Sequence, residues 1–347
     1  MRALVYRGPD DFSWDEVAEP ELIDPTDAIV RVDATTICGT DLHILKGDLP
    51  ETAADRILGH EAVGTVESIG AAVTRVKVGD HVLVSCVSAC GSCTYCRIGQ
   101  FGQCLGGGGW ILGYKIDGTQ AELVRVPFAD TSTYPIPDGV DDESALMVSD
   151  ILPTGYEVGV SNGNVRPGDT VAIVGAGPIG LSAVKAAKLF SPAHIVVIDL
   201  AQSRLELAKQ FGADVMINSS NEDPLVAVAS LTEDLGADVV IEAVGTPATF
   251  ELCTRLVRPG GHVANIGVHG APATLHLESL WSRDVTITTG LVDTSSIPTL
   301  LKLVTTGHLT PAQFVTHRFE LNEMVEAYDV FSRAAETGAL KVVLHRD

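Results

Sequence analysis

The sequence predicts a two-domain α/β protein in which a doubly wound sheet of six parallel strands accompanies a smaller, mostly antiparallel β domain. Three observations predict it. From Thr170 onward, six apolar strand-like runs alternate with helical stretches, the order of a parallel sheet covered on both faces. A glycine-rich turn follows the first of those runs and opens a helix. Before residue 150 the chain shows short β-like segments separated by turn signals instead. Its 347 residues suffice for two cores.

In chain order, the first β-like segments are 28–32, 62–69, 81–84 and 121–126, with turns at Val78-Gly79-Asp80 and Asp117-Gly118. The texture changes near residue 153. Strands are then expected at 171–174, 195–198, 215–217, 238–242, 262–266 and 285–289, with helical patterns such as 201–211 between them. The tail carries a helix candidate at 322–335 and a last strand at 340–344. That tail can rejoin the β domain, making the parallel-sheet domain an insertion. The expected limits are 1–153, 154–290 and 291–347, with a cysteine-rich lobe at about 86–110.

Hydrophobic residues make up 46% of the chain and charged residues 20%, a globular composition. With 45 acidic against 23 basic residues the formal charge is −22. Such a surface repels phosphate backbones, which argues against a nucleic-acid partner. No apolar stretch is long enough to span a bilayer. The opening MRALVYRGPDDF lacks the apolar core and cleavage site of a secretory signal, so a cytoplasmic location is expected.

The strand at 171–174 runs into Gly175-Ala176-Gly177-Pro178-Ile179-Gly180 and then an apolar helix. In this pattern Gly175 permits the tight turn, Gly177 lets a pyrophosphate approach the backbone, and Gly180 lets helix and strand pack closely. The N–H groups of the first helical turn then face the phosphates. The next strand ends in Asp199, 19 residues beyond Gly180. An acid there accepts hydrogen bonds from the adenosine ribose hydroxyls and repels a 2′-phosphate, favouring NAD over NADP. Arg204, just beyond, could meet such a phosphate and pulls the other way.

Seven cysteines, an odd count with four crowded together, do not resemble a secreted disulfide framework. Cys90, Cys93, Cys96 and Cys104 lie within fifteen residues. Four thiolates satisfy tetrahedral zinc and leave no open position, so such a site would be structural. An iron–sulfur cluster or a redox disulfide pair are the alternatives. A second constellation is dispersed: Cys38, Thr40 and His43, then His60 and Glu61, then Asp150. Cys38, His60 and Asp150 could supply the three ligands of a catalytic zinc that keeps one position open.

The segments Cys38-Gly39-Thr40-Asp41-Leu42-His43, Gly59-His60-Glu61, the four-cysteine lobe, the glycine motif and Lys341-Val342-Val343 together resemble the zinc-dependent medium-chain dehydrogenase family over nearly the full length. The stretch from Met147 to Gly155 is similar to the bacterial secondary-alcohol dehydrogenase branch, in which an Asp at the place of Asp150 ligates zinc. Polyol and threonine dehydrogenases usually carry Glu there. The resemblance implies a Rossmann domain, a GroES-like catalytic domain, NAD, and two zinc ions per chain. Cys38, His60 and Asp150 would hold the catalytic zinc, with Glu61 beside it or exchanging into its shell, and the four lobe cysteines the structural one. It further implies contact of Thr154 with the nicotinamide. Val244, Gly267, Val268 and Leu291, which follow later strands, could line the same end, and Lys341 is also expected at the cofactor. A tetramer is expected over a dimer.

The expected reaction is reversible hydride transfer between NAD and a small or medium alcohol, secondary by preference, giving a ketone from a secondary alcohol or an aldehyde from a primary one. Zinc lowers the pKa of the alcohol hydroxyl, and the proton leaves through Thr40 and a cofactor ribose hydroxyl to His43. Tyr114 is a candidate wall of the substrate pocket. The rivals are a polyol or amino-alcohol dehydrogenase of the same family and a non-catalytic dinucleotide-binding protein. Retention of Cys38, His60 and Thr40 argues against the latter.

Overall fold

The computed structural model describes residues 1–346. It divides the chain into two compact units, one made of residues 1–150 with 293–347 and the other of residues 151–292.

The first unit is built on a mostly antiparallel sheet. Its order is Val315–Glu320, Lys341–His345, Ala28–Thr36, Ala62–Ile69, His81–Val84 and Thr133–Pro135, with Leu123–Val126 also paired to Ala28–Thr36. Along Ala28–Thr36 the two-residue repeat is visible: Val30 and Val32 point into the core, while Arg31 and Asp33 point outward and pair with each other. A small sheet of Arg2–Gly8, Asp11–Glu16 and Arg56–Ile57 flanks it. The tail closes the unit, because Lys341–His345 pairs antiparallel with Ala28–Thr36 and parallel with Val315–Glu320. One core cluster joins Leu4, Ile37, Ile44 and Leu58 from the N-terminal half to Met324, Tyr328, Val342 and Leu344 from the tail. Each such fully buried aliphatic side chain contributes roughly 1.5–3 kcal/mol. The expected 322–335 helix is shorter than its pattern. It runs Met324–Ser332, entered by a 3-10 turn at Leu321–Glu323 and followed by a separate turn at Ala334–Thr337.

The second unit holds six parallel strands in the order Val215–Asn218, His194–Asp199, Thr170–Val174, Ala237–Glu242, Val257–Asn265 and Thr286–Thr289. Thr170–Val174 is buried at every position, as a central strand covered on both faces must be. Val257–Asn265 begins earlier than its pattern suggested, because Pro259-Gly260-Gly261 reads as a turn but is absorbed into an irregular register against Ala237–Glu242. Strand order reverses between Thr170–Val174 and Ala237–Glu242. Their carboxyl ends therefore diverge into a crevice, the ligand position of open α/β sheets. Among the described residues, no helix is long and apolar enough to cross a membrane.

Candidate active site

The first unit gathers the dispersed constellation. The strand Ala28–Thr36 delivers Cys38, and the helix Gly39–Leu45 starts at once behind it. His60 and Glu61 immediately precede Ala62–Ile69, and Asp150 follows the short helix Asp142–Leu146. Ligand atoms of Cys38, His60, Glu61 and Asp150 all lie within 4.8 Å of one another. His60 Nε2 is 3.4 Å from Asp150 Oδ2, and Cys38 Sγ is 3.9 Å from the same oxygen. Burial pulls the His60 imidazole down, but Asp150, Cys38 and Asp41 outweigh it and hold His60 well above its ordinary value. Acidic side chains thus converge on the imidazole, an arrangement that favours positive charge at this spot. The donors are a thiolate, an imidazole and carboxylates, the set zinc takes, so the residues fit that metal.

Glu61 differs from the other three. Its Oε1 accepts a 2.8 Å bond from Lys341 Nζ, both side chains being 1% exposed. Lys341 also donates to the Ile37 carbonyl at 3.3 Å. The residue expected at the cofactor therefore lies beneath the cluster, with its ammonium committed to Glu61. Asp41, in the same motif as Cys38, has a part at the site that its position in the sequence did not reveal. It is buried, accepts from the Cys38 backbone N–H at 2.8 Å, and places Oδ1 3.7 Å from His60 Nδ1. An acid one helical turn behind a ligand cysteine was the available signal.

Thr40 and His43 stand one turn apart on a common face of Gly39–Leu45. The Thr40 hydroxyl is 3.7 Å from Cys38 Sγ, and His43 Nδ1 is 2.7 Å from Asp48 Oδ2 near solvent. Trp110, which the sequence reading passed over, meets the His60 ring edge to face at 6.0 Å. Tyr114 stacks on Trp110 at 4.6 Å and donates to Glu51 Oε2 at 2.9 Å, one layer further out. Cys86 is buried, its N–H bonds to the Ser149 carbonyl, and burial with Asp150 and Glu61 pushes its thiol well up.

The four remaining clustered thiols form the second candidate metal centre, with no disulfide among them. Cys93 Sγ accepts from the N–H of Cys96 at 3.5 Å and of Leu105 at 3.4 Å. Cys104 Sγ accepts from Cys90 at 3.3 Å and Gly106 at 3.4 Å. Burial opposes ionisation of Cys90, but hydrogen bonds from Ser92 and Cys93 bring it down to about 6, whereas burial pushes Cys96 up to about 12. Backbone donors aimed at sulfur favour thiolates, the form that binds zinc. A Cβ at Gly106 would lie 2.7 Å from Cys90 Sγ, so the loop closes on the sulfurs only with glycine there.

In the second unit the glycine motif joins Thr170–Val174 to the helix Pro178–Lys188, with Gly177 as N-cap and Pro178 and Ile179 in the first turn. A Cβ on Gly180 would lie 1.8 Å from the Gly175 carbonyl oxygen, so helix and turn touch backbone to backbone. Asp199 accepts from the N–H of Ala176 and of Ala201, each at 2.8 Å, tying the turn to the next strand. Arg204 is exposed on the helix Gln202–Phe211. Val244, Gly267, Val268 and Leu291 all follow carboxyl ends of strands, and the three larger ones are 42–58% exposed. Thr154 ends the short helix Ile151–Thr154. Glu242 was missed. It is fully buried and accepts from the N–H of Val244 at 3.0 Å, of Gly245 at 2.9 Å and from the Thr249 hydroxyl at 2.7 Å. Those bonds pin the turn on the far side of the crevice from Gly175.

Comparison with known proteins agrees with this arrangement. The alcohol dehydrogenase GroES-like domain matches residues 24–138, and the zinc-binding dehydrogenase domain matches residues 178–306. The chain is 39% identical to an alcohol dehydrogenase of Cupriavidus necator over 363 aligned residues, covering 99% of this chain and 98% of that one. Its fold superposes on zinc dependent alcohol dehydrogenase 2 of Streptococcus pneumonia with a TM-score of 0.96 at 48% identity, covering 100% and 99% of the two chains. For alcohol dehydrogenase TADH of Thermus sp. ATN1 the TM-score is 0.93 at 39% identity, with both chains covered completely. Sheet order, paired metal-ligand clusters and full-length similarity together place the chain in the zinc-dependent medium-chain alcohol dehydrogenase family.

Proposed function

We propose that this member of the family oxidises small or medium secondary alcohols with NAD, and reduces the matching ketones in reverse. The observation that carries the reading is the buried meeting of Cys38, His60 and Asp150 with the Thr40 hydroxyl beside it. Cys38, His60 and Asp150 would hold zinc, and Glu61, already neutralised by Lys341, would stand behind them. When bound, zinc supplies a Lewis acid that lowers the hydroxyl pKa of the alcohol, and NAD supplies the hydride acceptor. Thr40 would take the hydroxyl proton and pass it through a cofactor ribose hydroxyl to His43, which, one turn on and paired with Asp48 near solvent, would hand it to water. Trp110 walls the His60 side and excludes water from it. In the second unit Gly175, Gly177, Pro178, Ile179 and Gly180 would cradle the pyrophosphate, and Asp199 would take the ribose. Thr154, Val244, Gly267, Val268 and Leu291 would bound the nicotinamide end. Cys90, Cys93, Cys96 and Cys104 would hold a second, structural zinc. A cytoplasmic homotetramer completes the proposal.

Initial rates of reduced-cofactor formation by zinc-replete protein, comparing NAD with NADP over paired primary and secondary alcohols, test it. Turnover with NAD and a secondary-alcohol preference is expected. No turnover with any simple alcohol, despite bound zinc and cofactor, would move the assignment to polyols or amino alcohols. Thr40→Ala is expected to lower kcat by roughly 10²–10⁴.

A further inference from the structure

A run of buried hydrogen bonds leads from Asp41, which faces His60, to the C-terminal helix. Tyr328, on Met324–Ser332, donates its hydroxyl to Gln120 Oε1 at 2.8 Å. Gln120 Nε2 donates to Asp41 Oδ2 at 3.1 Å and to the Thr36 carbonyl at 3.2 Å. Asp41 Oδ1 then faces His60 Nδ1 at 3.7 Å. Exposure is 1% at Asp41, 0% at Gln120 and 2% at Tyr328, so water does not compete for any of these bonds.

The run has one direction. Gln120 Nε2 meets two acceptors, a carboxylate and a carbonyl, so the amide cannot be turned round. Its oxygen is thereby fixed toward Tyr328, whose hydroxyl must donate. Asp41 Oδ2 is held by two donors, Gln120 and the Cys38 N–H. Its other oxygen is buried and has no hydrogen-bond partner, and it is aimed at the His60 ring. Such an oxygen is costly unless a proton meets it. It therefore favours the tautomer with hydrogen on Nδ1, which leaves Nε2 free toward Cys38 and Asp150.

We infer that Gln120 and Tyr328 are positioning residues for the metal centre, holding Asp41 so that His60 presents Nε2 to zinc. The inference rests on the reading that Cys38, His60 and Asp150 bind zinc. It gives the returning C-terminal segment a task at the site, because Tyr328 orders a ligand from 208 residues beyond Gln120.

The test is the rate of zinc release from the full-length, zinc-replete protein to a chromophoric chelator, with release from the four-cysteine lobe as internal reference. Cys38→Ser and Cys104→Ser assign the two phases. Loss of partners beyond the first ligands lowers metal affinity roughly 10–100-fold. Gln120→Met is expected to speed release from the Cys38 cluster by about that factor, and Tyr328→Phe, one bond further from the metal, by about 10-fold, the weaker end of the same range. Release from the lobe stays as in the parent, and the d–d bands of cobalt at the Cys38 cluster shift in both variants. Parental release and parental cobalt bands in folded Tyr328→Phe overturn the inference, and that variant decides alone if Gln120→Met does not fold. A parent protein that yields zinc only from the four-cysteine lobe overturns the metal reading itself, and this inference with it.

Discussion

Replacing Lys341 with Met is expected to destabilise the protein by about 3–5 kcal/mol, the usual cost of removing one partner from a buried ion pair. Lys341 Nζ and Glu61 Oε1 are 2.8 Å apart, and each side chain is only 1% exposed. Methionine matches the lysine stem in volume, so packing loss is small and the orphaned Glu61 carboxylate dominates. For a domain of ~200 residues this corresponds to a fall in Tm of about 10 °C. The sign with pH follows from Glu61. Burial pushes its carboxyl up while Lys341 opposes that push. Without Lys341 its folded pKa rises further above the unfolded value of ~4.3. A raised carboxyl costs stability at high pH and nothing once both states are protonated, so the deficit is fully expressed above the folded pKa and fades as pH falls below it. Urea unfolding of zinc-replete Lys341→Met, Glu61→Leu and the double variant measures this, with an unchanged m-value marking a pure stability effect. The double variant, which leaves neither member of the pair buried without its partner, is expected to recover at least about 2 kcal/mol of the single loss. A Lys341→Met protein within about 1 kcal/mol of the parent, or a double variant no better than the single, would refute the reasoning.

Cys104→Ser is expected to lower bound zinc by one ion per chain while leaving the Cys38 cluster loaded, and to expose the lobe to proteolysis. Metal analysis with limited digestion checks this, and an unchanged zinc content would count against a four-thiolate site. Asp199→Ala removes the acceptor for the N–H groups of Ala176 and Ala201 and the proposed ribose contact. A charged hydrogen bond of about 1.5–3 kcal/mol translates to a rise in KM for NAD of about 10–100-fold, with discrimination against NADP relaxed. A parental cofactor preference in that variant would show that the acid does not select. Arg318 grips Glu143 through two bonds of 2.6 and 2.7 Å, and that grip holds the Glu143 carboxyl below its ordinary value. Since a depressed carboxyl stabilises above its unfolded pKa and loses that contribution as pH falls through its folded one, Arg318→Met should cost about 0.5–1 kcal/mol at pH 7 and nothing in strong acid. Thermal melts across that range follow the difference, and a deficit that persists in acid would assign it to packing.

Periodicity and turn chemistry made the parallel sheet legible. The five runs at 171–174, 195–198, 215–217, 238–242 and 285–289 fall within observed strands to one residue; the three central ones, Thr170–Val174, His194–Asp199 and Ala237–Glu242, are mostly apolar because both faces are covered, whereas the edge strands Val215–Asn218 and Thr286–Thr289 are mostly half-buried or exposed. The sixth was read short because Pro259-Gly260-Gly261 has the local chemistry of a turn; the structure makes it a bulge, Gly260 having φ +72°, between the pairs Val257–Ala237 and His262–Val239, so the strand continues on both sides of it. Gly175, Gly177, Gly180 and the four-cysteine lobe were legible for a related reason: their geometry is set by neighbours a few residues away. The rest of the site depends on contacts that no local pattern encodes. Lys341 meets Glu61 across 280 residues and Tyr328 meets Gln120 across 208, each through one buried polar bond. Glu242 looked like an ordinary strand end until its carboxylate was seen to gather two backbone N–H groups and a hydroxyl. The sequence by itself determined which residue types could bind metal and dinucleotide, because ligand chemistry and backbone sterics are properties of short segments. Only the tertiary structure decided which charges neutralise one another, because a buried ion is stabilised by whatever the fold brings within about 4 Å, however far away in the chain.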